Sequence, residues 1–166
     1  MNHSNIIKLE QQIAKLKFLN PFWEDDDELG YDFLAAQENI VIYEAILQKI
    51  LKEIEKPKRV VDVGANLNEY AFLFTDQGID YVGIDPYPKQ KGWTPITNEN
   101  IKHIPHYYQE VKENFKNDVL ISSLCIGYLV KIEEVLAKHL IINGNCSTPE
   151  TMAKLLWLGD ISYFLK

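Results

Sequence analysis

Two carboxylates and one tight turn stand where this sequence can do chemistry. Asp62 sits in the apolar run Val60-Val61-Asp62-Val63, which stops at Gly64. Asp85 closes a second apolar run, Tyr81-Val82-Gly83-Ile84, 23 positions after Asp62. Glycine takes positive φ without steric penalty and lets a ligand approach the backbone. Asn66 and Asn68 follow, where nucleotide-binding turns often carry more glycines, and Asn is the next most tolerant residue for left-handed geometry. A carboxylate about 20 residues beyond a glycine turn is placed to accept hydrogen bonds from ribose hydroxyls. The chemistry implied is recognition of a nucleoside-containing ligand. The full G-x-G-x-x-G fingerprint is absent, and a pyrophosphate needs closer backbone approach than Asn66 and Asn68 readily allow. The pattern therefore points away from NAD and from a nucleotide-dependent oxidoreductase.

Positioning these groups requires a strand, a turn, a helix and a second strand. The spacing predicts that helix from about Asn68, with Asn68 as its N-cap and free N–H groups aimed back at the turn. Strands joined through a helix pair in parallel with a right-handed crossover, and ligands bind beyond their carboxyl ends. Gly64 and Asp85 both belong to that edge. Further strands are expected at Ile101–Ile104, Asp118–Ser123, Leu140–Gly144 and Ile161–Leu165. Helices are expected from a Ser4 cap to about Phe18, over Tyr31–Glu55, Tyr108–Phe115 and Ile132–Lys138, and from Thr148 to about Leu158. The expected class is α/β: a doubly wound, mostly parallel sheet preceded by helices.

The run Asp62-Val63-Gly64-Ala65-Asn66-Leu67-Asn68, followed by Val82-Gly83-Ile84-Asp85, resembles the first two motifs of class I S-adenosylmethionine-dependent methyltransferases. Asn66 and Asn68 occupy two of that family's glycine positions. The resemblance implies a Rossmann-like sheet, here with a shortened C-terminus, the usual final antiparallel hairpin reduced to one strand. It implies that Asp62, Gly64, Ala65 and Asn66 hold the methionine end of S-adenosylmethionine and Asp85 the ribose. The exit of the third strand would touch adenine, through His106 or Tyr107. Residues after the fourth strand would face the methyl group, where Ser122 or Tyr128 would orient a substrate; both also suit purely structural roles. No Lys or Asp stands there as a base, so the catalytic residues stay unassigned. The function implied is methyl transfer to a small-molecule or protein acceptor. The alternative is a non-catalytic protein of the same fold that has lost the cofactor.

Length bounds the rest. With 166 residues one domain is expected. Residues 1–57 read as a helical extension packed on the core, and residues 58–166 as the cofactor-binding part. A net charge of −7 argues against nucleic acid and against anionic membranes as partners. Cys125 and Cys146 lack metal-like spacing and read as buried thiols; His103 and His106 do not define a metal site; the acid run 24–28 reads as a solvated loop. The N-terminus lacks a signal-peptide apolar segment and Val119–Val130 is too interrupted to span a bilayer, so a cytoplasmic protein is expected. Tyr87 and Trp93, in a loop rich in proline and lysine, either stack on a planar ligand or pin the loop. The N-terminal helices, with Phe22, Trp23 and Tyr31, offer a lid over the ligand edge, extra core packing, or a face for a second copy or a protein partner.

Overall fold

The computed structural model describes residues 2–21, 33–123, 136–143 and 162–165. Its strands are β1 (Arg59–Val63), β2 (Asp80–Ile84), β3 (Ile101–Ile104), β4 (Val119–Ser122), β5 (His139–Asn143) and β6 (Ser162–Leu165). They form one six-stranded sheet in the order β3-β2-β1-β4-β5-β6, and every neighbouring pair is parallel. The α/β, doubly wound, Rossmann-like class is therefore the observed one. The last strand, expected as the remnant of a hairpin, pairs parallel to β5. The strand order reverses between β1 and β4, which makes the crevice beyond their carboxyl ends the place for a ligand.

Alternation along the strands divides the core into two layers. Val60, Tyr81, Val119, Ile121 and Ile141 pack on one side, against the N-terminal helices. Val61, Val63, Val82, Ile84, Leu120, Leu140 and Ile142 pack on the other, against Tyr108 and Phe115. Successive strand residues point to opposite faces, so an apolar run covered on both faces must be apolar at nearly every position. Asp62 is the exception in β1.

Helix α1 (His3–Leu19) buries Leu9, Ile13 and Leu16, one face at spacings of four and three. Its N-cap is Asn2, whose side chain accepts from the Ser4 N–H, rather than Ser4 itself. At its far end Asn20 is buried and doubly tied to Thr94: Nδ2 donates to the Thr94 carbonyl at 3.0 Å, and Oδ1 accepts from the Thr94 N–H at 2.7 Å. This stitches the helix to the segment following β2. Helix α2 (Phe33–Glu53) buries Ala36, Ile40, Tyr43, Ile46 and Ile50. Val41 and Leu51, which sequence periodicity assigns to the apolar face, are exposed, and Tyr43 belongs to the buried stripe instead.

The helix expected from Asn68 is much shorter. Residues 64–71 form successive turns, and α3 spans only Phe72–Thr75, with Ala71 at its N-cap. Helix α4 (Tyr87–Lys91) occupies what the sequence predicts as loop, closed by Gly92 at φ 74°. Helix α5 (Tyr108–Val111) continues into a 3-10 turn over Lys112–Phe115. Of the helix predicted over 132–138, only Leu136–Lys138 are described, and they are not helical. The helix predicted over 148–158, the acid run, Phe22, Trp23, Tyr31, Tyr128 and both cysteines lie outside the described residues.

Candidate functional site

The turn after β1 keeps a glycine-like backbone without the glycines. Gly64, Asn66 and Asn68 have φ of 84°, 50° and 61°. Asn tolerates this region because its short amide side chain costs little there. Two asparagines thus follow a path that glycines would otherwise take, and both carry side chains into the fold. Asn68 is buried; its Nδ2 donates to the Ile96 carbonyl at 2.9 Å, and its Oδ1 lies against β2 over Gly83. A Cβ at position 83 would overlap that oxygen and stand 2.8 Å from the Ala65 Cβ. Glycine inside a strand commonly marks such a close approach. Ala65 is itself buried, so the turn offers backbone rather than a side chain at that point.

The second carboxylate closes on the turn. Asp85 Oδ2 accepts from the Asn66 N–H at 2.9 Å, and Oδ1 accepts from the Tyr87 N–H at 2.9 Å. The bend at residue 64 and the acid at 85 are therefore brought together at one rim. His103, on β3 opposite Gly83, joins the same assembly. Its Nε2 lies 3.0 Å from the Asp85 carbonyl and its Nδ1 3.3 Å from Asn68 Oδ1. Both partners are oxygens that only accept, so the neutral ring donates to one of them at a time. Burial lowers the His103 pKa below the usual imidazole value, against the raising effect of the bond to Asp85.

Asp62 is fully buried, on the face that carries α2. Tyr43 of α2 donates its hydroxyl to Oδ2 at 2.7 Å, and Tyr81 of β2 donates to the same oxygen. The carboxyl is pushed up to about 7 on balance: burial raises it most, the Tyr81 and Tyr43 bonds lower it, and Glu69 and Asp85 raise it. The tyrosines are held far above their ordinary values, first by burial and then by the Asp62 charge. Tyr43 is fixed by stacking on Tyr70, with ring centroids 4.4 Å apart, while Tyr70 donates to the Ala36 carbonyl at 3.2 Å.

Three polar atoms at this rim are buried and, among the described residues, lack a hydrogen-bond partner: Asp62 Oδ1, Asn66 Oδ1 and Ser123 Oγ. Ser123 follows β4 and lies beside the Tyr43 hydroxyl without closing a full bond to it. Orphaned buried oxygens are uncommon in folded proteins and call for a donor from elsewhere.

A family model for a methyltransferase domain matches residues 35–140, from the first turn of α2 into β5. The chain belongs to the methyltransferase domain family. It is also similar to a solved structure of "the 16S rRNA methylase RmtB", with 16% identity and a TM-score of 0.40. That likeness covers 93% of this chain and 56% of the other, so the chain spans little more than half of its length. No curated protein matches the sequence.

Within this methyltransferase domain the remaining expected residues divide. Ser122 is buried, and its hydroxyl donates to the Val63 carbonyl at 2.9 Å, tying β4 to the end of β1. Tyr107 stands at the β3 exit, 48% exposed, with its backbone N–H donating to Glu110. His106 is exposed nearby and lies 3.6 Å from Glu110. Tyr87 packs edge-on against Trp93, centroids 5.3 Å apart, and Lys91 sits over the Tyr87 ring. These contacts pin the segment. Sequence reasoning missed Tyr43, Tyr81, Ser123, Asn68's inward turn and His103. The available signal was Asp62 itself, since an acid in a strand covered on both faces demands buried donors. A hollow of about 440 Å³, lined by Lys56, Lys58, Lys138, Glu55 and the Arg59–Asp118 ion pair, lies at the opposite, amino edge of the sheet. Among the described residues no helix is long and apolar enough to cross a membrane.

Proposed function

We propose that this domain binds S-adenosylmethionine at the rim of β1, β2 and β4 and directs methyl transfer to a small-molecule or protein acceptor. The observation that carries the reading is the set of orphaned oxygens on Asp62, Asn66 and Ser123. An ammonium offers three N–H donors and no acceptor, and the amino-acid end of the cofactor ends in one. Asp62 supplies the negative charge, and the Gly64-Ala65-Asn66 backbone lines the approach. Asp85 already accepts two backbone bonds; a carboxylate offers about four acceptor positions, so two remain for ribose hydroxyls. Tyr107 offers an exposed ring on the adenine side. Ser122 supports the joint between β1 and β4.

The bound sulfonium supplies an already activated methyl group. The protein's task is then to hold an acceptor in line and exclude water, and positioning of this kind carries much of such a rate without a side-chain base. We also place the chain in the cytoplasm, with residues 1–57 as a helical extension packed on the core of 58–166.

A second reading is a protein of the same fold that works without the cofactor. It is favoured by Asp85, which is only 7% exposed and already uses both oxygens on its own backbone. Calorimetric titration separates the two. Micromolar binding of S-adenosylhomocysteine, lost in Asp85→Ala, supports methyl transfer. Absence of binding at millimolar ligand leaves the second reading.

A further inference from the structure

The cofactor reading does not explain why two tyrosines from different elements meet one carboxylate oxygen. Tyr43 reaches Asp62 from α2, and Tyr81 reaches it from the adjacent strand; both donate to Oδ2. Oδ1 of the same group stays buried with no described partner. A carboxylate left to itself rotates and shares donors between both oxygens. Here both donors are committed to one side, and the tyrosine rings cannot follow a rotation. Tyr43 is stacked on Tyr70 and set edge-on to Phe74 at 6.5 Å, and Tyr81 packs on Phe74 at 5.8 Å.

We propose that Tyr43 and Tyr81 are positioning residues for the cofactor's ammonium group: they clamp Oδ2 of Asp62 so that Oδ1 is presented to the ligand, and they keep the carboxylate ionised when the ligand binds. The inference rests on the cofactor reading above. It makes α2 part of the binding site, since the hydroxyl of Tyr43 comes from that helix. A side chain that only filled space would do equally well as phenylalanine. The second carboxylates near the group are Glu69 and Asp85, which both disfavour its charge, so the two hydroxyls are what offset them.

The test uses S-adenosylhomocysteine as probe, with affinity measured from pH 5.5 to 9 for the wild type, Tyr43→Phe, Tyr81→Phe and the double variant. The wild type should lose affinity by about tenfold per pH unit once Asp62 is protonated. Each Tyr→Phe variant should move that loss to higher pH, the double variant furthest, and should also bind more weakly at the alkaline end, where Asp62 is ionised but its Oδ2 is no longer held. Wild-type affinity at the alkaline end, or an unmoved midpoint, overturns the clamp and leaves the cofactor reading intact. Absence of binding by the wild type overturns both. Carboxyl ¹³C titration of Asp62 in the ligand-free protein gives an independent readout: the titration must move upward in each variant, and an unchanged curve also overturns the clamp.

Discussion

The two faces of the sheet are built from alternate residues of the same strands, yet they do different work. On one face Val61, Val63, Val82, Ile84, Leu120, Leu140 and Ile142 form an apolar layer. On the other, at the same level of the sheet, β1 carries Asp62, β2 carries Gly83 and β3 carries His103, aligned by register. Tyr43, Asn68 and Ser123 complete that row from the helix, the turn and the end of β4. Polar groups are thus concentrated in one row on the α2 face, where they are costly to bury beside the larger apolar cluster, while the opposite face is apolar throughout. The difference teaches that the α2 face is shaped for something besides stability.

The sharpest way to break this comparison is to damage the apolar face. Leu120 is fully buried there, and Leu120→Ala should cost about 2–5 kcal/mol in denaturant unfolding while leaving cofactor affinity unchanged. A matching loss of affinity would mean that the faces are not separable. On the polar face, Gly83→Ala forces Asn68 and Ala65 away from β2. It should cost roughly 1–3 kcal/mol and also abolish binding of S-adenosylhomocysteine, because the turn itself is displaced. Normal binding by a destabilised Gly83→Ala protein would sever the turn from the site.

One expected change in stability runs the other way. The Asp62 carboxyl titrates near 3.8 in an unfolded chain and near 7 when folded. Its protonated form therefore supports the fold below about pH 4, and that support is lost as pH rises through 7. Asp62→Asn should stabilise the ligand-free protein by up to roughly 4 kcal/mol at pH 8, with the gain fading towards pH 4. The same change should weaken cofactor binding by about tenfold or more. Thermal melts at both pH values check the first effect and calorimetry the second. His103 acts in the opposite sense: its lowered pKa makes the neutral ring favourable above the ordinary 6.5, and that contribution declines on acidification. The Asn variant isolates the Asp62 part.

Much of this was readable from residue order. β1 to β3 lie where the apolar runs predict, because a strand buried on both faces leaves little ambiguity. The turn and its acid were readable from Gly64, Asn66 and Asp85. The helix after the turn was not. Asn68 is a good N-cap by type, but its left-handed backbone and its bond to Ile96 commit it to the turn instead. Tyr43 was hidden because the tertiary fold, not the amphipathic pattern, decides which flank of α2 is covered. The Asp62 cluster depends on register: Asp62 lies opposite Gly83, two residues past Tyr81, and no local pattern states that pairing. Residues whose partners are remote in sequence are the ones that sequence reading leaves unassigned.

The central position of β1 has a consequence for synthesis. It acquires β2 and β3 from the following residues up to Ile104, but its other neighbour begins only at Val119. At about 5–20 residues per second, a nascent chain spends seconds with one side of Val60-Val61-Asp62-Val63 unmatched. An open, valine-rich ribbon invites pairing with strangers, and an inward-pointing charge is a recognised deterrent. In water Asp62 is free to ionise, and a charge at that place is of the kind that discourages such pairing. The acid that weakens the finished fold at alkaline pH stands in the strand that waits for its second neighbour.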